Sequence, residues 1–185
     1  MSNEAPAAAA AVTTWEVDPA HSHAQFKVRH MMISNVKGEF TKLSGTVKID
    51  SADITQSGVE VSADATSIST REPQRDGHLK SPDFFHVEQH PAITFKSTKI
   101  TRTGDGLELT GNLTIRGVTK PVTFEVDGPT PETKDPWGNV RIGVEATTTI
   151  DRKDFGLTWN SALETGGVLV GDKVNITVDA ELVKK

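Results

Sequence analysis

Apolar and polar residues alternate with a period of two along most of the chain from Trp15 onward. In HAQFKVRHM, one face carries Ala24, Phe26, Val28 and His30. The same alternation recurs in the runs GTVKID, VEVSADA, AITFKS, GLELTGNLTIRG, VRIGVEATTTI and VNITVDAEL. A two-residue period with one apolar face is typical of antiparallel sheets, so these runs predict strands that are buried on one side.

Turn-forming residues separate these runs, at Thr103-Gly104-Asp105-Gly106, Arg116-Gly117, Pro136-Trp137-Gly138-Asn139 and Gly166-Gly167. Short strands punctuated by turns, with little helix between them, predict an all-β barrel or sandwich. The template gives about eight or nine strands, and a chain of 185 residues suits one such domain.

One stretch, QRDGHLKSPDFFHVEQHP from Gln74 to Pro91, breaks the alternation. Residues 74–80 could form a short helical turn, and Ser81 followed by Pro82 resembles the start of another. His90 precedes Pro91, which favours extended backbone where the next strand begins. We therefore predict a helical insertion near residues 74–86, between two strands.

Composition excludes several classes of protein. Hydrophobic residues make up 35% of the chain and the mean hydropathy is -0.35, with no run long enough for a transmembrane helix. The net charge is -5 and the basic residues are scattered, so a nucleic-acid partner is not expected. The absence of cysteine excludes disulfides and thiolate chemistry.

The N-terminal segment MSNEAPAAAAAV carries Glu4 ahead of a weakly apolar alanine run, without a basic residue. It lacks the features of an export signal, which predicts a cytoplasmic protein; a periplasmic or secreted location would follow if a signal had been removed. We expect residues 1–13 to form a disordered Ala/Pro-rich tail and residues 14–185 to form the barrel domain.

The histidines suggest a metal or acid–base site as an alternative. His21 and His23 would share a face of a strand, and the insertion adds His78, His86 and His90. No H-E-x-x-H motif or acidic cluster accompanies them, so we assign no metal ligands. His30 lies on an apolar face, which favours a hydrogen-bonded core histidine. A histidine-based or metal-dependent enzyme acting on a lipid-like substrate stays the second hypothesis.

The apolar face mixes bulky residues with small ones: Ala24, Gly45, Ala63, Ala65, Gly111, Ala146 and Ala180. This mixture fits either an interdigitated, filled core or a cavity, because an eight-stranded barrel has room for side chains or for one small ligand. Periodicity does not distinguish a filled core from a cavity. A filled barrel would make the protein a structural or interaction domain.

Four stretches resemble the YceI-like family when taken in order: WEVDPAHSHAQFKVRHMMISNVKGEF, SISTREPQRDGHLKSPDFFHVEQHPAITFKS, GNLTIRGVTKPVTFEV and IDRKDFGLTWN. The match runs from about Trp15 to Val183. The resemblance implies a lipocalin-like antiparallel barrel that binds a long apolar lipid, such as a polyisoprenoid, an isoprenoid quinone or a fatty-acyl compound. It implies no catalytic reaction and no cofactor other than the bound lipid.

Alternation then supplies candidate residues for the cavity implied by the resemblance: Phe26, Val28, His30, Ile93, Phe95, Leu113, Val144 and Ile176. The helical insertion would act as a lid or meet a polar headgroup through Arg75, His78, Leu79, Phe84 and Phe85. Anchoring the insertion is the favoured role for Arg75 and His78. Edge strands could also pair two copies into a homodimer.

Overall fold

The computed structural model describes residues 12–185 and consists almost entirely of antiparallel strands. The strands are β1 (Val12–Val17), β2 (His23–His30), β3 (Ser34–Phe40), β4 (Leu43–Asp50), β5 (Gly58–Asp64), β6 (Ile68–Ser69), β7 (Ala92–Thr103), β8 (Gly106–Ile115), β9 (Val118–Asp127), β10 (Thr133–Lys134), β11 (Val140–Asp151) and β12 (Val170–Lys184). The all-β class is confirmed. Strand β1 begins at Val12, and residues 1–11 of the predicted tail lie outside the described residues.

Eight strands close into a barrel in the order β1, β4, β5, β7, β8, β9, β11, β12 and back to β1. Strand β12 pairs with β11 along one edge, and its other edge pairs with β1 at one end and β2 at the other. Strands β2, β3 and β6 thus extend the sheet beyond β12 at the second end. The predicted antiparallel barrel of about eight strands is confirmed.

The alternation read from the sequence sets which side chains point inward, with one local change of phase. In β7, Phe95 lies opposite Leu113 of β8, and both point inward. The register shifts between Ser97 and Lys99, and Ile100 is then the buried residue. A β-bulge adds one residue to its strand, so it moves the following side chains to the other face.

The insertion between β6 and β7 contains one short helix, α1 (Pro73–Lys80). Glu72 caps its N-terminus by accepting hydrogen bonds from two backbone N–H groups. The predicted second helix start at Ser81 is wrong, because Ser81 ends α1 and its hydroxyl donates to the His78 carbonyl. Residues 82–90 form turns instead. No helix in the part of the chain that the structure describes is long and apolar enough to cross a membrane.

Two groups of buried side chains form the core. The first surrounds Trp15, which is 2% exposed, at the end of the barrel where β1 meets β12. The second surrounds Phe155, also 2% exposed, beneath α1 and the segment 81–91. Each group adjoins an internal cavity, so the barrel is not filled by its own side chains.

Candidate functional site

The larger cavity lies under α1 and has a volume of about 290 Å³. Strands β2, β3, β7, β8 and β12 contribute its walls, and the segment 81–91 completes the cover. Most of the lining is aliphatic or aromatic, including Phe26, Val28, Val36, Phe40, Phe84, Phe85, Ile93, Phe95, Leu113 and Ile176. Such a surface has few polar groups to hold water and suits an apolar ligand.

Aromatic contacts attach the cover to the barrel wall. The Phe85 ring meets the edge of Phe40 on β3, with centroids 5.5 Å apart. The Phe84 ring lies 5.4 Å from that of Trp159, on the far side of the cavity. These contacts position the cover through packing, and both phenylalanines line the larger cavity.

Polar contacts hold α1 to the strand that precedes it. The Arg75 Nε donates to Thr70 Oγ1 at 2.8 Å, and one of its Nη atoms donates to the Thr70 carbonyl at 2.9 Å. Asp76 accepts from the Thr70 amide at 2.8 Å and from its hydroxyl at 2.5 Å. Thr70 is buried, so these bonds satisfy its polar atoms and fix the start of the helix.

His78 contacts both polar and aromatic neighbours beside the cavity. Its Nε2 lies 2.8 Å from Asp83 Oδ2, and its ring meets Trp159 edge-on at 4.7 Å. These contacts orient the imidazole within the cover. Contact of Arg75 or His78 with a headgroup stays a prediction.

Arg152 supports the opposite wall of the larger cavity. Its side chain is 3% exposed, and it donates hydrogen bonds to the backbone carbonyls of Leu157, Trp159, Val170 and Gly171. Burial lowers the pKa of the Arg152 guanidinium from its ordinary value, and the Asp172 carboxylate, 3.9 Å away, counteracts this. Through these four carbonyls, Arg152 holds residues 157–171 against the barrel. Leu157 and Trp159 of this segment line the cavity.

A smaller cavity of about 160 Å³ occupies the other end of the barrel. It contains no charged side chain in its lining, which includes Val17, Val47, Val59, Leu107, Val144 and Ala180. Four residues line both cavities: Val61, Phe95, Phe124 and Val178. The two cavities therefore lie end to end along the barrel.

The Phe95 and Phe124 rings stand between the two cavities, edge to face, with centroids 5.2 Å apart. Gly111 leaves the space that Phe95 uses, since a Cβ there would lie 2.5 Å from the Phe95 ring. The position of this pair follows from register and was not predicted from sequence.

The structure brings together all the residues predicted for the cavity and its cover. Val144 lies on the smaller cavity, Phe95 on both, and the others on the larger one. The His30 side chain makes no hydrogen bond to any residue within 12–185, so the expected hydrogen-bonded core histidine is not found. Sequence reasoning missed several lining residues, among them Val36, Phe40, Arg152, Leu157 and Trp159. Arg152 did have a signal, since it continues the inward alternation of β11 beyond Ile150.

The histidines of the metal hypothesis do not come together in one place, although the His86 and His90 rings lie 5.9 Å apart. His21 contacts Asp18 at 2.9 Å at the end of the barrel that carries the smaller cavity, and His78 belongs to α1, which covers the larger cavity. Among residues 12–185, the one arrangement of three ligand atoms close enough to hold a metal is Asp18, His21 and Glu181. The Arg141 guanidinium bonds to both carboxylates, at 2.6 and 3.1 Å, so a cationic group already contacts them.

Residues 15–182 match the family model described as the YceI-like domain. Among curated proteins, a UPF0312 protein of Staphylococcus aureus strain N315 is 36% identical over 171 residues, covering 92% of this chain and 97% of that protein. A UPF0312 protein of Pectobacterium atrosepticum is 37% identical over 160 residues, covering 85% and 82%. The resemblance predicted from the sequence motifs is confirmed.

Solved structures share the fold. BcnA of Burkholderia cenocepacia superposes with a TM-score of 0.75 at 25% identity, covering 89% of this chain and 98% of BcnA. A YceI protein of Campylobacter jejuni gives 0.70 at 30% identity, covering 86% and 91%. A polyisoprenoid binding domain from Saccharophagus degradans gives 0.66 at 15% identity, covering 94% and 99%, which shows a common fold.

Proposed function

The chain belongs to the YceI-like domain family, and from this premise we propose that its barrel binds one long apolar lipid without transforming it. The proposed ligand is a polyisoprenoid, an isoprenoid quinone or a fatty-acyl compound. The observation that carries the proposal is the pair of apolar cavities, aligned along the barrel and separated by two phenyl rings.

The energetics favour occupation of the larger cavity. At about 24 cal/mol per Å³, an empty space of 290 Å³ corresponds to roughly 7 kcal/mol of lost packing. That is comparable with the whole free energy of unfolding of an ordinary domain, about 5–15 kcal/mol. A hydrocarbon chain would restore these contacts, and each five-carbon isoprene unit would contribute on the order of 4 kcal/mol before ordering costs.

The proposed orientation places the polar end of the lipid in the larger cavity and the chain end in the smaller one. All ionisable side chains that line the larger cavity are basic or imidazole groups: Arg29, His30, Arg75, His78 and Arg152. The smaller cavity has none. A lipid that fills both cavities would pass between Phe95 and Phe124, which then rotate apart.

The related domain from Saccharophagus degradans is described as polyisoprenoid binding, which supports the ligand class by analogy of fold. The same comparison supports a binding domain over an enzyme. His21 and His78 lie in different parts of the barrel, so these two residues cannot act together in one reaction.

The test is organic extraction of purified protein that has never been delipidated, followed by mass spectrometry of the extract. We expect about one long-chain lipid per protein. Ile176→Trp adds bulk inside the larger cavity and should weaken retention about tenfold, because overpacking costs about 1–3 kcal/mol. Asn175→Trp, on the exposed face of the same strand, is the matched control and should retain the lipid.

Two results would count against the proposal. The first is a clean extract combined with no uptake of added isoprenoids or fatty-acyl lipids. The second is equal lipid content in the Ile176→Trp and wild-type proteins. Ala replacement of Arg75 or His78 then separates their roles, since loss of lipid with unchanged stability would assign them to the headgroup.

A further inference from the structure

The hairpin between β2 and β3 ends in three consecutive exposed apolar residues. Met31, Met32 and Ile33 are 42%, 58% and 74% exposed, and Val168 in the loop before β12 is 40% exposed. We call these four residues the apolar tip. Most other large apolar residues of the described chain are buried or half-buried, so the tip is a concentration of apolar surface in one place.

The backbone of the tip makes these residues unusual for their position. The Ile33 amide bonds to the His30 carbonyl, and both central residues, Met31 and Met32, have positive φ, at 50° and 62°. Turns with positive φ at both central residues favour Asn and Gly, because the Cβ of most other residues is strained in the left-handed region. The turn therefore carries backbone strain at Met31 and Met32, two residues that expose apolar side chains there.

The tip stands at one end of the larger cavity. The Met31 amide bonds to the Leu169 carbonyl at 2.8 Å, and Met32 packs directly over Gly167, where a Cβ would meet its sulfur. Leu169 and His30, the next residues inward, both line the cavity. An apolar phase that surrounds the tip would thus lie next to the cavity wall.

Basic side chains flank the tip on the outer face of the same hairpin. Lys27 and Lys37 are direct cross-strand partners, and Arg29, an exposed residue that also borders the larger cavity, lies between Lys27 and the turn. Like charges opposite one another destabilise a strand pair. Within residues 12–185 none of the three forms an ion pair, and Glu164 is the one carboxylate in the facing loop 161–169.

We propose that the apolar tip inserts into the surface of a bilayer that contains anionic phospholipid, and that the lipid enters or leaves the larger cavity there. Phosphate groups would neutralise the unpaired lysines while the methionines and Ile33 enter the acyl region. The passage of a lipid at this point rests on the proposed function. The docking itself rests on the tip alone.

The experiment measures sedimentation of the full chain with vesicles of phosphatidylcholine, with or without phosphatidylglycerol. We expect binding to the anionic vesicles that weakens at raised salt. Ile33→Asp should reduce it about tenfold, the effect of removing one buried apolar side chain. The double replacement Lys27→Gln with Lys37→Gln should also reduce it about tenfold, on the anionic vesicles alone.

Trp137→Ser is the matched control, because Trp137 is 83% exposed at the opposite end of the barrel. It should bind vesicles like the wild type. All three variants alter exposed or half-buried positions, and circular dichroism checks their folding. Extracted lipid is measured on the same samples, so loss of vesicle binding with retained lipid identifies docking as a separate property.

Three results would overturn the proposal. The wild type could fail to sediment with anionic vesicles. Ile33→Asp could bind as well as the wild type while Trp137→Ser does not. Finally, the wild type could be a dimer that does not bind vesicles, and Ile33→Asp could dissociate it. The tip would then be a contact between two copies. Vesicle binding by a protein that holds no lipid and takes up no added isoprenoid or fatty-acyl lipid would overturn the proposed function and leave the docking in place.

Discussion

The two ends of the barrel are each organised by one arginine, and the two arginines use different partners. At the end of the smaller cavity, Arg141 bonds to three carboxylates, those of Asp18, Asp135 and Glu181. Under the larger cavity, Arg152 bonds to four backbone carbonyls. Ion pairs between side chains thus stabilise the end with the smaller cavity. At the larger cavity, hydrogen bonds from Arg152 to backbone carbonyls hold the loop in place.

The difference follows from the burial of each guanidinium. Arg141 is 20% exposed and its carboxylates raise its pKa, while burial lowers the pKa of Arg152, which is 3% exposed. Ion pairs near water stabilise a fold only modestly. A buried cation needs its donors satisfied, so its removal leaves several carbonyls without partners. The loop that Arg152 holds also forms a wall of the proposed ligand site.

Replacement of Arg152 should have the largest effect on stability. Arg152→Met removes the donors for four carbonyls, and we expect a loss of about 3 kcal/mol or more in the free energy of unfolding, measured by urea denaturation. Arg102→Met, at an exposed position of β7, should change it by less than about 0.5 kcal/mol. Equal stability of the two variants would show that the loop does not depend on Arg152.

Replacement of Arg141 should have a smaller effect that depends on salt. In Arg141→Met, three carboxylates lose their cation, and mutual repulsion should lower the midpoint of thermal unfolding by a few degrees. Raised salt should reduce this difference by screening the carboxylates, whereas it should leave the Arg152→Met effect intact. Lys96→Met, which breaks an exposed pair with Glu60, serves as the control. A larger loss in Arg141→Met than in Arg152→Met would reverse the comparison.

The smallest expected effect is a response to acid at the Arg141 end. Bonds from Arg141, and then from His21, lower the pKa of Asp18 from 3.8 to about 2. A carboxyl whose pKa falls on folding stabilises the fold above its unfolded pKa, and this contribution is lost as the pH falls from about 4 towards 2.

After screening by solvent we expect a contribution on the order of 1 kcal/mol, seen as a steeper loss of stability in acid for wild type than for Asp18→Asn. Asp105→Asn, in an exposed turn, should follow the wild-type curve. Parallel curves for wild type and Asp18→Asn would contradict the assignment.

Much of the barrel could be predicted from local pattern, because the side on which a strand residue lies depends on its neighbours in sequence. Phe26, Leu113 and Ile176, which alternation placed on the apolar face, accordingly line the larger cavity. The bulge in β7 shows the limit, since Ile100 is buried out of phase with Phe95. The helical turn over residues 74–80 was located without its cap, because Glu72 is a less common capping residue, and Ser81 was wrongly predicted to begin a second helix.

The sequence by itself determined the strands, their apolar faces, the insertion and the family, since each of these is encoded in contiguous residues. Tertiary structure alone decided that the barrel encloses two cavities, that Phe95 and Phe124 divide them, and that Trp159 meets Phe84. The charge networks of Arg141 and Arg152 likewise join residues far apart in the chain. Such features depend on register, closure and loop path, which are set by packing among many strands at once and leave no periodic signal in any one of them.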